Sequence, residues 1–286
     1  MSHAAKLIRN LQYVACEASL RVPVKAAVEV TEYGPEIDLV VSLTSYPPRI
    51  GMLWKTLETI FRQSITPSAV VLALSAEEFP GRRLPSSITR YIDRGLRISF
   101  VDRNIRSYKK LIPAMLEFPE KIIVTADDDV LYPRHWLREL VAAHRTMPAH
   151  IVGHRGTVIQ VVEENVQPYV TWPQADMRSA PHRVFLTGLG GILYPPHALL
   201  DYPTLDMDLA MRLAPTADDI WFKAMSLLAN TPVSKVSDGN GDFLTVRSLQ
   251  KFSLRSTNVL AGRNDVQFRA VIDYFGLWRR LVSGTA

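Results

Sequence analysis

Short, mostly apolar runs that end in polar residues recur through the first half of the chain. They lie in 38–50, before a turn forced by Pro47 and Pro48, and at 70–74, 96–101 and 122–124. Such runs are too short for helices and are typical of strands buried in a sheet. Helices fall between them, so the pattern predicts an α/β fold with a mostly parallel central sheet, right-handed crossovers and flanking helices.

The second half is expected to add a helix from Pro133 to about residue 145 and one or two strands within 151–162. A helix within 214–230, a late strand within 232–236 and a last helix within 266–282 should follow.

We expect three parts in the chain: an N-terminal helical appendage at 1–37, a single main domain at 38–262 and a C-terminal helix at 263–286. The main domain has two halves, 38–130 and 131–262. The main domain can therefore hold one large core.

Three glycines interrupt the strand-like stretch 184–196, namely Gly188, Gly190 and Gly191. Glycine weakens a strand unless a bulge or a closely approaching ligand requires the missing side chain. We therefore expect this stretch to form a wall of a ligand pocket.

The appendage contains an amphipathic helix, with Leu7, Ile8, Leu11 and Val14 on one side. Such a helix packs against the main domain, the more frequent outcome, or lies on a membrane surface. No apolar run reaches transmembrane length, and the N-terminus lacks a signal-peptide core followed by a cleavage site. We expect a cytoplasmic protein, with any membrane contact peripheral and at the inner face.

Composition narrows the function classes. The net charge of +5 suits an anionic partner, and the single cysteine, Cys16, excludes an internal disulfide and a multi-cysteine zinc site. The chain has neither a G-x-G-x-x-G after a strand nor a Walker sequence, which argues against dinucleotide and P-loop chemistry. Basic residues are scattered without a recognised module, so nucleic acid is not expected as a partner.

Three adjacent carboxylates, Asp127, Asp128 and Asp129, follow the apolar run 122–124. At the carboxyl end of a strand they lie where ligands of α/β sheets usually bind, and a divalent cation would offset their mutual repulsion. The alternative is a solvated acidic turn, but apolar residues return at once with Val130, which favours metal binding.

Candidate anion-binding residues come from two other places. Thr44, Ser45 and Arg49 follow the first strand and could hold a nucleotide through hydroxyls and a guanidinium, although a turn with a surface arginine is the simpler interpretation. In the basic stretch 102–118, Lys110 is the best candidate for a phosphate ligand.

A second acidic pair, Asp218 and Asp219, precedes an apolar helix. Thr216 to Asp219 fits a capping box, in which the acids serve the helix N-terminus. A cap uses one carboxylate, and the other could take a proton from an acceptor hydroxyl.

With these segments placed, the sequence resembles the nucleotide-diphospho-sugar glycosyltransferases of GT-A fold, especially bacterial enzymes of capsule or lipopolysaccharide assembly. The segments that carry the resemblance are SLTSYPPRI, KKLIPAM, TADDDVLYP, GLGGILYPP and TADDIWFKAM, at 42–50, 109–115, 125–133, 188–196 and 216–225.

The resemblance implies a Mn²⁺- or Mg²⁺-dependent transfer from a nucleotide sugar, a UDP-sugar most of all, to a glycan or lipid-linked glycan. In the matched D-x-D motif, Asp129 would be a metal ligand and Asp127 would contact the ribose or the metal, while Asp128 could share either task. Asp219 would be the base of an inverting enzyme, with Asp218 beside it.

By the same resemblance, Thr44, Ser45 and Arg49 would line the nucleotide pocket and Lys110 would lie near the base or diphosphate. Gly190 and Gly191, in the glycine-rich stretch, are the candidates for the wall of the donor-sugar pocket. Many relatives supply a late histidine as another metal ligand, but none follows His197 here. Asp238, Asp242, Asp265 or water would have to take its place.

Two alternatives come from other classes. A phosphatase of the haloacid-dehalogenase kind also uses an aspartate pair at the D-x-D spacing of Asp127 and Asp129, although its strand comes first in the domain. A protein that binds nucleotide or carbohydrate without catalysis is the other.

Overall fold

The structure is a computed structural model that describes residues 3–22, 37–163, 165–241, 243–252 and 262–283. Its strands, in chain order, are β1 Leu39–Thr44, β2 Ala69–Ser75, β3 Leu96–Val101, β4 Ile122–Ala126, β5 Val130–Leu131, β6 Ile151–Gly153, β7 Gly156–Val158, β8 Val161–Val162, β9 Asn165–Val166, β10 Val184–Leu186, β11 Ile192–Tyr194, β12 Val233–Lys235 and β13 Leu244–Thr245.

The helices are α1 His3–Ser19, α2 Pro47–Ile50, α3 Trp54–Ile60, α4 Ser86–Thr89, α5 Ile112–Glu117, α6 Trp136–Thr146, α7 Asp201–Thr204, α8 Met207–Leu213, α9 Asp218–Leu228, α10 Arg263–Phe275 and α11 Trp278–Ser283. Short 3₁₀ turns at Arg106–Lys110 and Gly188–Gly190 also matter for the site.

A seven-stranded sheet in the order β3-β2-β1-β4-β11-β6-β12 forms the centre of the described chain. β11 runs antiparallel to both of its neighbours, and the other pairs are parallel. The predicted α/β fold with a mostly parallel sheet is therefore confirmed.

Both faces of the sheet are covered by helices. Successive side chains of a strand point to opposite sides, so each strand contributes to two cores. Ile123 and Tyr194 lie in the core on one face, together with residues of α9, α10 and α11. Val124 and Leu193 lie in the core on the other face, with residues of α3 and α6. The C-terminal helices thus share a core with α9.

Two expected elements differ from the structure. The glycines of 184–196 do not lie inside one strand, since a 3₁₀ turn at Gly188–Gly190 separates β10 from β11. The last helix is divided, because Gly276 adopts φ +64° and ends α10 before α11 begins. In both places the backbone leaves the regular element at a glycine.

The antiparallel strand β11 places its amino end beside the carboxyl end of β4. Ile192 lies opposite Thr125, so the residues before β11 and the residues after β4 share one edge of the sheet. This register brings the glycine turn and the acidic turn together.

The N-terminal helix α1 packs on the domain, as expected, but not through the predicted apolar side: Tyr13 and Cys16 join a hydrophobic cluster with Leu131, Val246 and Leu249. Leu7, Ile8, Leu11 and Val14 are between 56% and 62% exposed, whereas Tyr13 is 7% exposed. No helix in the described part of the chain is both long and apolar enough to cross a membrane.

We expect Gly191→Ala to destabilise the protein more than Gly276→Ala. Both glycines have positive φ, +77° and +64°. At Gly276 the backbone is left-handed helical, where alanine costs roughly 1–2 kcal/mol. At Gly191, with ψ +145°, it lies near a region that is essentially restricted to glycine, where another residue costs roughly 1–3 kcal/mol. At Gly191 the new Cβ would also lie 2.5 Å from Trp136 Cζ2, whereas at Gly276 no atom lies within 4 Å. The overpacking adds about 1–3 kcal/mol. Denaturant unfolding measures the difference, and equal losses for the two variants would contradict the packing shown.

Candidate functional site

The backbone of the acidic turn 127–129 is hydrogen-bonded to side chains of the protein. The peptide N–H of Asp127 donates to the Tyr132 hydroxyl at 2.8 Å, and the Thr56 hydroxyl donates to the carbonyl of Asp128 at 3.0 Å. A solvated loop would leave these groups to water, so the alternative of a solvated acidic turn is wrong.

The three carboxylates of the turn have different surroundings. The side chain of Asp127 is 30% exposed, that of Asp129 14% and that of Asp128 8%. Arg49 Nη1 donates to Asp128 Oδ1 and Ser45 Oγ to Asp128 Oδ2, each at 2.6 Å. Both oxygens of Asp128 are therefore bound inside the protein, and the expected nucleotide contacts of Asp128, Ser45 and Arg49 stay predictions.

Asp129 is a carboxylate short of positive charge. Burial, and after it the charges of Asp127 and Asp128, raise the pKa of Asp129 to about 7, and Arg49 opposes them only in part. The Arg49 guanidinium lies 3.3 Å from Asp129 Oδ2 but is closer to Asp128. A further cation would therefore stabilise the ionised form of Asp129.

Lys110 joins the two acidic motifs. Its Nζ lies 3.2 Å from Asp127 Oδ1, 2.9 Å from Asp218 Oδ2 and 3.8 Å from Asp219 Oδ1. Burial disfavours the ammonium, but the three carboxylates outweigh it and raise the pKa of Lys110 well above its usual value. Lys110 is thus a permanent cation within the described edge of the sheet.

Asp218 and Asp219, the acids of the first turn of α9, face this cluster and do not cap the helix. The N-cap residue is Ala217, without a side-chain cap, and the Thr216 hydroxyl donates to Gln267 Oε1 at 3.1 Å. The expected capping box is wrong because α10 takes the threonine. Burial raises the pKa of Asp219 to about 7; Lys110 lowers it, whereas Asp218 and Asp127 raise it.

Gly188 is the glycine that touches the acidic cluster. A Cβ there would lie 2.5 Å from Lys110 Nζ and 3.0 Å from Asp127 Oδ1, and the Gly188 N–H donates to Asp219 Oδ2 at 3.2 Å. A Cβ added at Gly190 or Gly191, the two glycines expected to contact the donor, would instead lie against Arg155, His154 or Trp136. Their contact with a donor stays a prediction.

Three other candidates are bound elsewhere in the described structure. The Thr44 hydroxyl donates to the carbonyl of Ala73 at 2.7 Å, so it bridges β1 and β2. Asp265 Oδ1 accepts from the Tyr169 N–H at 2.7 Å, and Asp238 Oδ1 accepts from the Met177 N–H at 3.1 Å. Asp242, the remaining substitute for a late histidine, lies outside the described residues.

Asp127 and Asp129 offer only oxygen donors, which suit Mg²⁺ or Mn²⁺. Across the described ranges, no group of three or more His, Cys, Asp and Glu side chains is arranged to hold a metal ion. The residues fit a divalent cation in their chemistry, and the charge shortage at Asp129 favours one. A bound diphosphate or water would have to complete its coordination.

An aromatic pair that the sequence did not indicate as functional supports both turns. The rings of Tyr132 and Trp136 lie 4.1 Å apart between centroids. Tyr132 accepts the N–H of Asp127, and Trp136 Nε1 donates to the carbonyl of Gly190 at 2.8 Å. In the sequence these residues follow the pattern of a buried helix and turn, which does not distinguish a supporting role from core packing.

No family model matches the chain, and no curated protein matches it. Several solved structures do. One is the mannosyltransferase PcManGT from Pyrobaculum calidifontis with GDP-Man and Mn²⁺, at TM-score 0.45 and 18% identity over 79% of this chain and 61% of that one.

A structure of S. aureus TarS with UDP matches at TM-score 0.46 and 14% identity, over 71% of this chain and 58% of that one. The 4-diphosphocytidyl-2C-methyl-D-erythritol synthase of Anaerococcus prevotii matches at TM-score 0.47 and 13% identity, over 76% of this chain and 96% of that one. The chain spans about three fifths of the length of the first two structures. At TM-scores below 0.5 the likeness is partial, and the α/β fold rests on the sheet described above.

Proposed function

We propose that the chain is a glycosyltransferase that moves a sugar from a nucleotide-diphosphate donor, a UDP-sugar first of all, to a hydroxyl of a glycan or lipid-linked glycan acceptor in surface-polysaccharide assembly. The observation that supports this most directly is the Lys110 cluster, in which Asp127 after β4 and the acids of the first turn of α9, Asp218 and Asp219, lie within 3.8 Å of one ammonium. A transferase needs a diphosphate site and a base close together.

The acidic turn is the proposed diphosphate side of the site. Asp127 and Asp129 would hold Mn²⁺ or Mg²⁺, and the ion would neutralise charge on the departing diphosphate. Lys110, buried and positively charged, would lie beside the same phosphates and would orient Asp127 through their ion pair. The glycine turn leaves room for this arrangement because Gly188 has no side chain.

Asp219 is the proposed base of an inverting transfer. A general base works best when its pKa is close to the working pH, and burial brings the pKa of Asp219 to about 7. The Gly188 N–H holds Asp219 Oδ2, while Asp218 lies closer to Lys110 than Asp219 does. Asp218 would therefore position the ammonium.

The alternatives give different outcomes in the same assays. A binding protein without catalysis would bind the nucleotide and never release UDP from a UDP-sugar. A phosphatase would release phosphate from sugar phosphates without a nucleotide sugar, but the Asp127 turn follows the fourth strand in the chain, and not the first.

We expect UDP with Mn²⁺ to raise the melting temperature of the wild type by several degrees, more than either ligand alone, because ligands that bind only the folded state stabilise it. Asp129→Asn should lose this increase. At pH 7.5 and without ligand, its melting temperature should equal that of the wild type. Asparagine is neutral, and burial disfavours the ionised carboxylate at this position.

The matched control for that variant is Asp208→Asn, which removes a carboxylate that is 82% exposed and pairs with Arg103. It should keep the full Mn²⁺-dependent increase. An unchanged increase in Asp129→Asn would remove the metal assignment from this residue.

We expect Asp219→Asn to bind UDP and Mn²⁺ as the wild type does and to release UDP from a UDP-sugar at least about 100-fold more slowly, since general bases contribute roughly 10²–10⁴-fold. In the wild type the rate should fall as the pH drops below about 7, because protonated Asp219 cannot accept a proton. Loss of folding in Asp219→Asn, or an unchanged rate, would contradict the assignment.

Stability gives an independent measure of the same titration. The pKa of Asp219 is higher in the folded state than in the unfolded chain, so its contribution is full at low pH and is lost as the pH rises through about 7. Between pH 5 and 8 the unfolding free energy of the wild type should therefore fall relative to that of Asp219→Asn. Parallel pH profiles for the two proteins would contradict the burial of this carboxylate.

A further inference from the structure

The N-terminal helix α1 packs on the domain through Tyr13 and Cys16 and turns a second apolar side away from it. In most surface helices the apolar face packs on the core and the polar face meets water. Here Leu7, Ile8, Leu11 and Val14, which follow helical spacing along one side, are 61%, 56%, 62% and 60% exposed. We call these four residues the α1 stripe.

Polar and apolar contacts of the opposite side keep the helix in this orientation. Arg9 Nη2 donates to the carbonyl of Phe243 at 2.9 Å, and Lys55 forms an ion pair with Glu17. The Tyr13 ring is buried on the same side. Rotating the helix to bury the stripe would break the ion pair and the hydrogen bond. These contacts therefore keep the stripe exposed.

Two exposed arginines lie at or next to α1. Among residues 7–22 the basic residues are Arg9, which contacts the domain, and Arg21, and the only acid is Glu17, which pairs with Lys55. From the main domain, Arg247 donates to Asn10 Oδ1, whereas Arg62, at the end of the helix, pairs with Glu58. Arg21 and Arg247 therefore supply positive charge beside the helix.

This combination of charge and exposed aliphatic groups decides between two occupants. A second copy packed on the stripe would bring two sets of these cations together, and like charges repel. An anionic lipid surface would accept the aliphatic side chains and attract Arg21 and Arg247, at about 1 kcal/mol per basic residue near the surface. A helix of 17 residues presents a strip roughly 25 Å long, enough to lie along such a surface.

We propose that α1 docks the protein onto an anionic membrane surface, with the α1 stripe inserted at the headgroup boundary and the helix parallel to the membrane. The domain is then attached through the opposite side of the same helix. This inference does not depend on the proposed glycosyl transfer, because it uses residues of α1 and its contacts alone.

The test is flotation of the full chain with vesicles of phosphatidylcholine containing about one third phosphatidylglycerol. We expect binding to these vesicles, at least tenfold weaker binding to pure phosphatidylcholine, and a decrease with added salt. Leu11→Asp should weaken binding at least tenfold because it places a charge in the stripe. UDP binding by the same variant should be unchanged, which separates this result from the proposed function.

The matched control is Leu116→Asp, the same substitution at a leucine that is 65% exposed on α5, compared with 62% for Leu11. It should bind vesicles as the wild type does. The proposal is overturned if the wild type does not float, if Leu11→Asp floats equally well, or if both variants lose binding alike. A dimer in light scattering that Leu11→Asp dissociates, without vesicle binding, would assign the stripe to a second copy instead.

Discussion

The arrangement of the site depends on one buried ammonium. Lys110 approaches carboxylates that come from two separate segments of the chain, one after β4 and one in the first turn of α9. Carboxylates brought this close together in a protein interior repel one another strongly, and a cation among them offsets that repulsion. The glycine turn follows from the same requirement, since a side chain on Gly188 would displace the ammonium or Asp127.

The site keeps an excess of negative charge after Lys110 and Arg49 are counted. Arg49 is committed mainly to Asp128, and Asp129 and Asp219 both have pKa values raised to about 7 by burial and by neighbouring acids. Such a site gains most from a ligand that brings its own positive charge or donates hydrogen bonds. A diphosphate alone would worsen the repulsion, whereas a diphosphate with a divalent cation would relieve it, which is the physical basis of the proposed donor class.

Charge also distinguishes α1 from the site. Within the site, acids are gathered around buried cations, whereas Arg21 and Arg247 are exposed beside α1, whose aliphatic stripe faces outward. Tyr13 and Cys16 pack on the domain, and Arg9 and Glu17 add a hydrogen bond and an ion pair, so the helix is held without the stripe.

The sequence by itself determined the strands, their mostly parallel order and the presence of acids at the end of β4, because apolar runs and strand-helix alternation are local patterns. Only the tertiary structure decided which side of each segment does what. Asp128 points inward because Ser45 and Arg49 bind it there. The acids of the first turn of α9 do not cap the helix, because Gln267 binds Thr216. Gly188, and not Gly190 or Gly191, contacts the acids. Each outcome depends on a partner distant in the chain. Where two or three adjacent residues are of the same type, the local sequence does not tell which of them that partner will contact.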